Sequence, residues 1–156
     1  MCPRDNDTFV LPFATESERR RNSNPRKLYP VDPGLIGAFD ASGRSNVGRA
    51  LETVVLNEPE RRRAEVGYVK TGEGLEVDFL VRDLGGDEEL VQVCADPSAA
   101  ETLTREMRAL TAAASEHPRA TRRLLVLDRD QALRVEAPGV LVQSAYEWLL
   151  AEASHH

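Results

Sequence analysis

No apolar run in the chain approaches the roughly 20 residues that a membrane-spanning helix needs, and the N-terminus lacks the apolar stretch of a signal peptide. Both absences argue against a membrane protein and lead to the expectation of a cytoplasmic one. Cysteine is scarce as well. Cys2 and Cys94 are too few and too differently placed for a disulfide framework or a C-x-x-C metal site, so both read as free thiols. Broad positive charge is missing too: the formal net charge is −6, whereas a surface built to neutralise phosphates needs clustered Lys and Arg. No internal repeat, low-complexity tract or interdomain linker is visible.

What is present is ordinary globular material. At 156 residues, with 41% hydrophobic and 29% charged residues, the chain is one domain's worth, and a domain of that size buries roughly 70% of its unfolded surface. The charge is unevenly spread. Positions 72 to 106 hold ten acids against Arg82 and Arg105, whereas Arg19 to Arg21, Arg61 to Arg63 and Arg122 with Arg123 form small basic islands. His155 and His156 end the chain and read as a tag remnant outside the argument.

Positions 1 to 27 are polar apart from F-V-L-P-F at Phe9 to Phe13, and 1–23 reads as a flexible or partner-dependent arm ahead of a single domain over 24–154. Lys27 to Val31 suggests a short edge strand. Asp32 and Pro33 then open a helix that ends at Gly37 and the A-S-G-R-S-N loop. A second helix starts near Ser45 or Asn46, lays down Leu51, Val54, Val55 and Leu56 as an apolar face, and should kink or stop at Pro59. Glu52 borders that face.

From Glu65 the period becomes two. V-G-Y-V-K-T and L-E-V-D-F-L-V form a hairpin around Gly72-Glu73-Gly74, and Gly85-Gly86 turns the chain into L-V-Q-V-C-A. Val77, Phe79 and Val81 share one face, Glu76, Asp78 and Leu80 the other. Gln92 and Cys94 alternate with Val91 and Val93, which brings Asp78 within reach of Gln92. Ser98 should cap a crossover helix to about Glu116 with a stripe of Ala99, Leu103, Met107, Leu110 and Ala114. R-R-L-L-V-L-D reads as a strand buried on both faces. A short strand at Leu133 to Val135, a last strand G-V-L-V-Q, and a terminal helix opened by Ser144 and Glu147 complete the order.

A helix carrying Glu52, a strand carrying Asp78, and a further pair of positions at 92 and 94 resemble the PD-(D/E)xK nuclease-like fold. More closely, N-P-R-K-L-Y-P-V-D-P-G-L, G-R-A-L-E-T-V-V-L-N-E, V-G-Y-V-K-T-G-E-G-L-E-V-D-F-L-V and G-V-L-V-Q-S-A-Y-E-W-L-L, over roughly positions 24 to 152, resemble the C-terminal domain of uncharacterised bacterial and archaeal AAA+ ATPases. The resemblance implies an α/β fold with a restriction-endonuclease-like mixed central sheet flanked by helices. It also implies Glu52 and Asp78 as metal ligands, since carboxylates suit the hard Mg²⁺ ion, and an acid-x-lysine pair at 92 and 94. That pair is Gln92-Val93-Cys94 here. An amide keeps an oxygen but loses the charge, and a thiol cannot stand in for an ammonium.

Two functional expectations follow. The first is a catalytically degenerate nuclease-like accessory or interaction domain, without a cofactor, partnered by an AAA+ ATPase module or another protein; the chain itself has no G-x-x-x-x-G-K-[ST] loop. Glu52, Asp78, Gln92 and Cys94 would then be vestiges, with Cys94 read as a structural thiol rather than a nucleophile. The second is a Mg²⁺-dependent DNA endonuclease whose lysine has moved to Lys70. A third reading, a self-associating homo-oligomer, puts F-V-L-P-F on a partner. DNA has only the small basic islands in its favour.

Overall fold

The period-two stretch that begins at Glu65 becomes three antiparallel strands, β4 (Glu65–Lys70), β5 (Glu76–Arg82) and β6 (Glu88–Cys94). Two parallel strands extend the same sheet, β7 (Thr121–Val126) and β8 (Leu141–Ser144), in the order β4-β5-β6-β7-β8. The protein is therefore mixed α/β, with a five-stranded mixed sheet flanked by helices. This computed structural model describes residues 4–5, 8–15, 18–34 and 46–151. Cys2, Ser45, the terminal histidines, and the helix expected from Pro33, past Gly34, lie outside the described residues.

On one face, α2 (Val47–Arg61) and α5 (Ala145–Leu150) pack Leu51, Val55, Leu56 and Trp148 against Phe79, Val91 and Val93. On the other, the crossover helix α3 (Ala100–Glu116) covers Leu80 and Leu90 with Ala109, Leu110 and Ala113. The α2 helix opens where Asn46 Oδ1 accepts the Arg49 N–H at 3.3 Å and runs through Pro59 to Arg61, two residues past the expected stop. The basic island at its end is already engaged, because Arg61 and Arg62 both donate to Glu58, at 2.6 Å each to Oε1.

The N-terminal segment corrects the expectation that it stays outside the core. β1 (Arg4–Asp5), β2 (Thr8–Leu11) and β3 (Lys27–Pro30) form a second, antiparallel sheet, with α1 (Glu18–Ser23) between β2 and β3. Phe9 and Leu11 are fully buried and Phe13 nearly so. Burying an apolar side chain of that size is worth about 1.5–3 kcal/mol, which outweighs the polar character of the residues around it. The segment also covers the edge of β4: the Ala14 N–H donates to the Tyr68 carbonyl at 2.8 Å and the Tyr68 N–H to the Pro12 carbonyl at 3.0 Å. Gly67 makes that approach possible, because a Cβ there would meet the Ala14 Cβ at 2.9 Å.

Three local expectations also change. Ser98 does not cap α3; its hydroxyl donates to Asp96 Oδ1 at 2.5 Å, and the helix begins after Ala99 without a side-chain cap. The packing face of α3 is wider than expected: Leu110 is buried and Leu103, Met107 and Ala114 pack partly buried on the core as expected, and Glu106, Ala109 and Ala113 are buried beside them. No strand forms at Leu133 to Val135: residues Arg129–Arg134 form the short helix α4, opened by a capping box between Asp128 and Gln131.

Candidate functional site

The site forms where two strands separate. The β5–β6 register runs from Arg82↔Glu88 to Phe79↔Val91 and ends there. Beyond it β5 stays paired with β4 through Val77↔Val69, and β6 with β7 through Gln92↔Leu124 and Val93↔Leu125. Side chains replace the missing rungs. The Asp78 N–H donates to Gln92 Oε1 at 3.2 Å, and the Val93 N–H donates to Asp78 Oδ2 at 2.9 Å. Asp78 and Gln92 thus meet as the alternation of their strands requires.

Six further side chains close around this pair. Gln92 Nε2 donates to Glu106 Oε2 at 2.5 Å, and Glu106 Oε1 accepts from Arg105 at 2.6 Å. The Tyr29 hydroxyl donates to Glu52 Oε2 at 3.0 Å. Lys27 Nζ stands 2.5 Å from Glu76 Oε1 and 3.9 Å from Asp78 Oδ1, with its charge 5.3 Å above the Tyr68 ring. Tyr29 and Lys27 both belong to β3, so the N-terminal sheet supplies part of the site. Glu52, Asp78, Gln92, Cys94, Arg105 and Glu106 line one cavity of about 540 Å³.

Crowded acids in a dry site hold protons. Burial, then the Glu52 charge, push the Asp78 carboxyl from its ordinary 3.8 up to about 8, against the pull of the Val93 N–H and Lys27. Burial likewise raises Glu52, opposed by the Tyr29 hydroxyl, Lys27 and Arg49 and reinforced by Glu106. The Tyr29 phenol is pushed well above its usual range, first by burial and then by Glu52 and Asp78. Cys94 is a free, buried thiol raised first by burial and then by Glu106, the opposite of what an attacking thiolate needs.

Of the residues singled out in the sequence, Glu52, Asp78, Gln92 and Cys94 come together and Lys70 does not. Lys70 lines a different cavity, along with His117. The lysine beside the acids is Lys27. The chain has only two lysines, Lys27 and Lys70, so a displaced ammonium had just these two sources. Glu106 also escaped the sequence reading, although Ala109 and Leu110 at the next helical turn put it on the buried face.

Among the described residues, no group of three or more His, Cys, Asp or Glu side chains could hold a metal ion. Glu106 is engaged by Gln92 and Arg105, and each of Glu52 and Asp78 has one carboxylate oxygen accepting a proton donor. A hard cation takes six or more oxygens, several of them from rigid ligands or ordered water. Among the described residues no helix is long and apolar enough to cross a membrane. Comparison with protein-family models, curated proteins and solved structures finds no match.

Proposed function

We propose that the chain is a catalytically silent nuclease-like domain, with a restriction-endonuclease-like sheet, that serves as an accessory or interaction module of an AAA+ ATPase system. One observation supports the silence above all others: the Gln92 amide joins Asp78 to Glu106, with its oxygen on the Asp78 N–H and its nitrogen on the Glu106 carboxylate. An amide can do both because it carries an acceptor and a donor; a glutamate at 92 would set two carboxylates against each other. The position of a metal-binding acid has become a structural clamp. The ATPase context rests on the sequence motifs at Asn24 to Leu35, Gly48 to Glu58, Val66 to Val81 and Gly139 to Leu150. Incubating the protein with Mg²⁺ or Mn²⁺ and single-stranded, duplex and branched DNA should give no cleavage. Metal-dependent cleavage that Asp78→Ala abolishes would overturn the reading.

A second reading, a working metal-dependent endonuclease, is favoured by a single distance: Lys27 Nζ lies 3.9 Å from Asp78 Oδ1. Lys27 then takes the place that the sequence suggested for Lys70. Titration calorimetry that detects no divalent-metal binding at millimolar concentration would eliminate this version.

A further inference from the structure

A second cavity, about 630 Å³, runs along β4 between the N-terminal segment, α1 and the turn after α3. Five cations line it: Arg20, Arg21, Lys70, Arg82 and Arg119. Three carboxylates line it too, and each is already occupied. Glu88 and Glu65 both face Arg82, at 2.5 and 3.4 Å, and Glu116 Oε1 accepts the Gly72 N–H at 2.9 Å. Arg21 uses one amino group on the Thr15 carbonyl at 2.7 Å, while Lys70 and Arg119 make no ion pair among the described residues. The surplus is therefore positive and comes from chain segments far apart in sequence.

We infer that this cleft binds a phosphate-bearing anion, holding the phosphates of a single nucleotide strand between Lys70, Arg119 and Arg21. A concavity with low-dielectric walls concentrates the field of its charges, so cations gathered in a cleft attract an anion far more than the same cations scattered on a convex surface. Guanidinium forks and a lysine point charge are the side chains that match phosphate oxygens. The volume falls within the range of small-ligand sites. Phe13 in the lining is 6% exposed, packs edge-on against Tyr68 and has the Arg20 guanidinium 5.8 Å from its ring centroid, so that ring is covered and only the half-buried His117 imidazole is left beside the cations. Recognition therefore falls chiefly on the phosphates, which carry no base sequence. This inference concerns a different cavity from the acid site and stands whether or not that site is silent.

Fluorescence anisotropy with a labelled oligothymidylate, at roughly 50 and 200 mM NaCl, tests it, using the full chain and two double variants. Lys70→Ala with Arg119→Ala removes two charges from the cleft; Arg129→Ala with Arg134→Ala removes two from α4. The cleft pair should weaken binding by about tenfold or more and flatten the log–log salt dependence by about 1.4, close to 0.7 for each lost phosphate contact. The α4 pair should change affinity by less than about threefold. All four side chains are exposed, Arg129 pairing with Glu147 at 3.6 Å, so urea melts should coincide with the wild type. Inorganic phosphate supplies the second arm: calorimetric binding of phosphate that the cleft pair abolishes, without strand binding, assigns the same cleft to the free anion. Equal weakening by the two pairs, or binding of neither probe by the wild type, overturns the inference.

Discussion

The two cavities of this molecule sit on one sheet and treat charge in opposite ways. The cavity at the end of β5 and β6 gathers five carboxylates, Glu52, Glu76, Asp78, Asp96 and Glu106, around a single guanidinium. The cavity along β4 gathers five cations against three carboxylates. In the first, nearly every charged group has an internal partner and Asp78 is driven to hold a proton. In the second, Lys70 and Arg119 have none among the described residues. Within the dense run of acids, Asp78 and Glu106 turn inward, Asp78 taking up a proton and Glu106 held by Gln92 and Arg105. Cations dispersed along the chain, by contrast, converge on an open cleft. The first arrangement suits a scaffold, the second a surface that meets something else.

The largest test of this contrast is to place an acid at position 92. Gln92→Glu puts a carboxylate where Gln92 Nε2 now donates to Glu106 at 2.5 Å. Breaking a buried, charged network in this way costs about 3 kcal/mol, the low end of the range for an uncompensated buried charge. Urea denaturation at pH 8 should show that loss, and excess MgCl₂ should reverse part of it by binding only the folded form. A Gln92→Glu protein as stable as the wild type without metal would mean that Glu106 is not the constraint described above.

A smaller effect is expected from pH. The Asp78 carboxyl titrates near 3.8 in the unfolded chain and at about 8 in the folded one. The folded state therefore holds the extra proton between those values. The stability this group contributes is fully present below about pH 4 and is lost as pH rises through about 8. Glu52, raised in the same direction, adds to the slope, while Lys27 reduces it for both acids. Asp78→Asn keeps an acceptor for the Val93 N–H and removes the titration. Its stability should vary less between pH 5 and pH 9 and should exceed that of the wild type at the alkaline end by on the order of 1 kcal/mol. A wild-type profile that is flat or rises over this interval would contradict the buried, protonated state of Asp78.

Much of the sheet was legible because short-range rules govern it. The period of two from Glu65, the glycines at Gly72, Gly74, Gly85 and Gly86, and the lengths between them determine which strands pair and that Asp78 meets Gln92. Gly74 and Gly86 adopt φ of 82° and 91°, which is why those turns carry glycine. The parts that were not legible depend on long-range packing. Tyr29 reaches Glu52 and Lys27 reaches Asp78 only because Phe9, Leu11 and Phe13 dock β2 and β3 onto the main sheet, and no local pattern announces that docking. Glu106 was missed because the buried face of α3 extends one position beyond the expected stripe, to Glu106, Ala109 and Ala113. The short strand expected at Leu133 gave way to α4 because the Asp128–Gln131 cap stabilises a helix that β propensity alone does not foresee.

The smallest effect separates the two lysines, one for each cavity. Lys27 lowers the proton affinity of both Glu52 and Asp78, whereas Lys70 lines the other cavity and faces neither acid. Lys27→Met should move the Asp78 midpoint above about 8, read directly from its carboxyl ¹³C shift by NMR, and Lys70→Met should leave it where it is. The stability change should stay under about 1 kcal/mol, because the Lys27–Glu76 pair is partly exposed and such pairs contribute little. The methionine retains most of the apolar stem that Lys27 lays across the Tyr68 ring, so lost packing does not account for a shift in titration. An Asp78 midpoint that moves equally in both variants would mean that the two cavities share one electrostatic field, and the separation between an inward-facing acid network and an outward-facing basic cleft would fail.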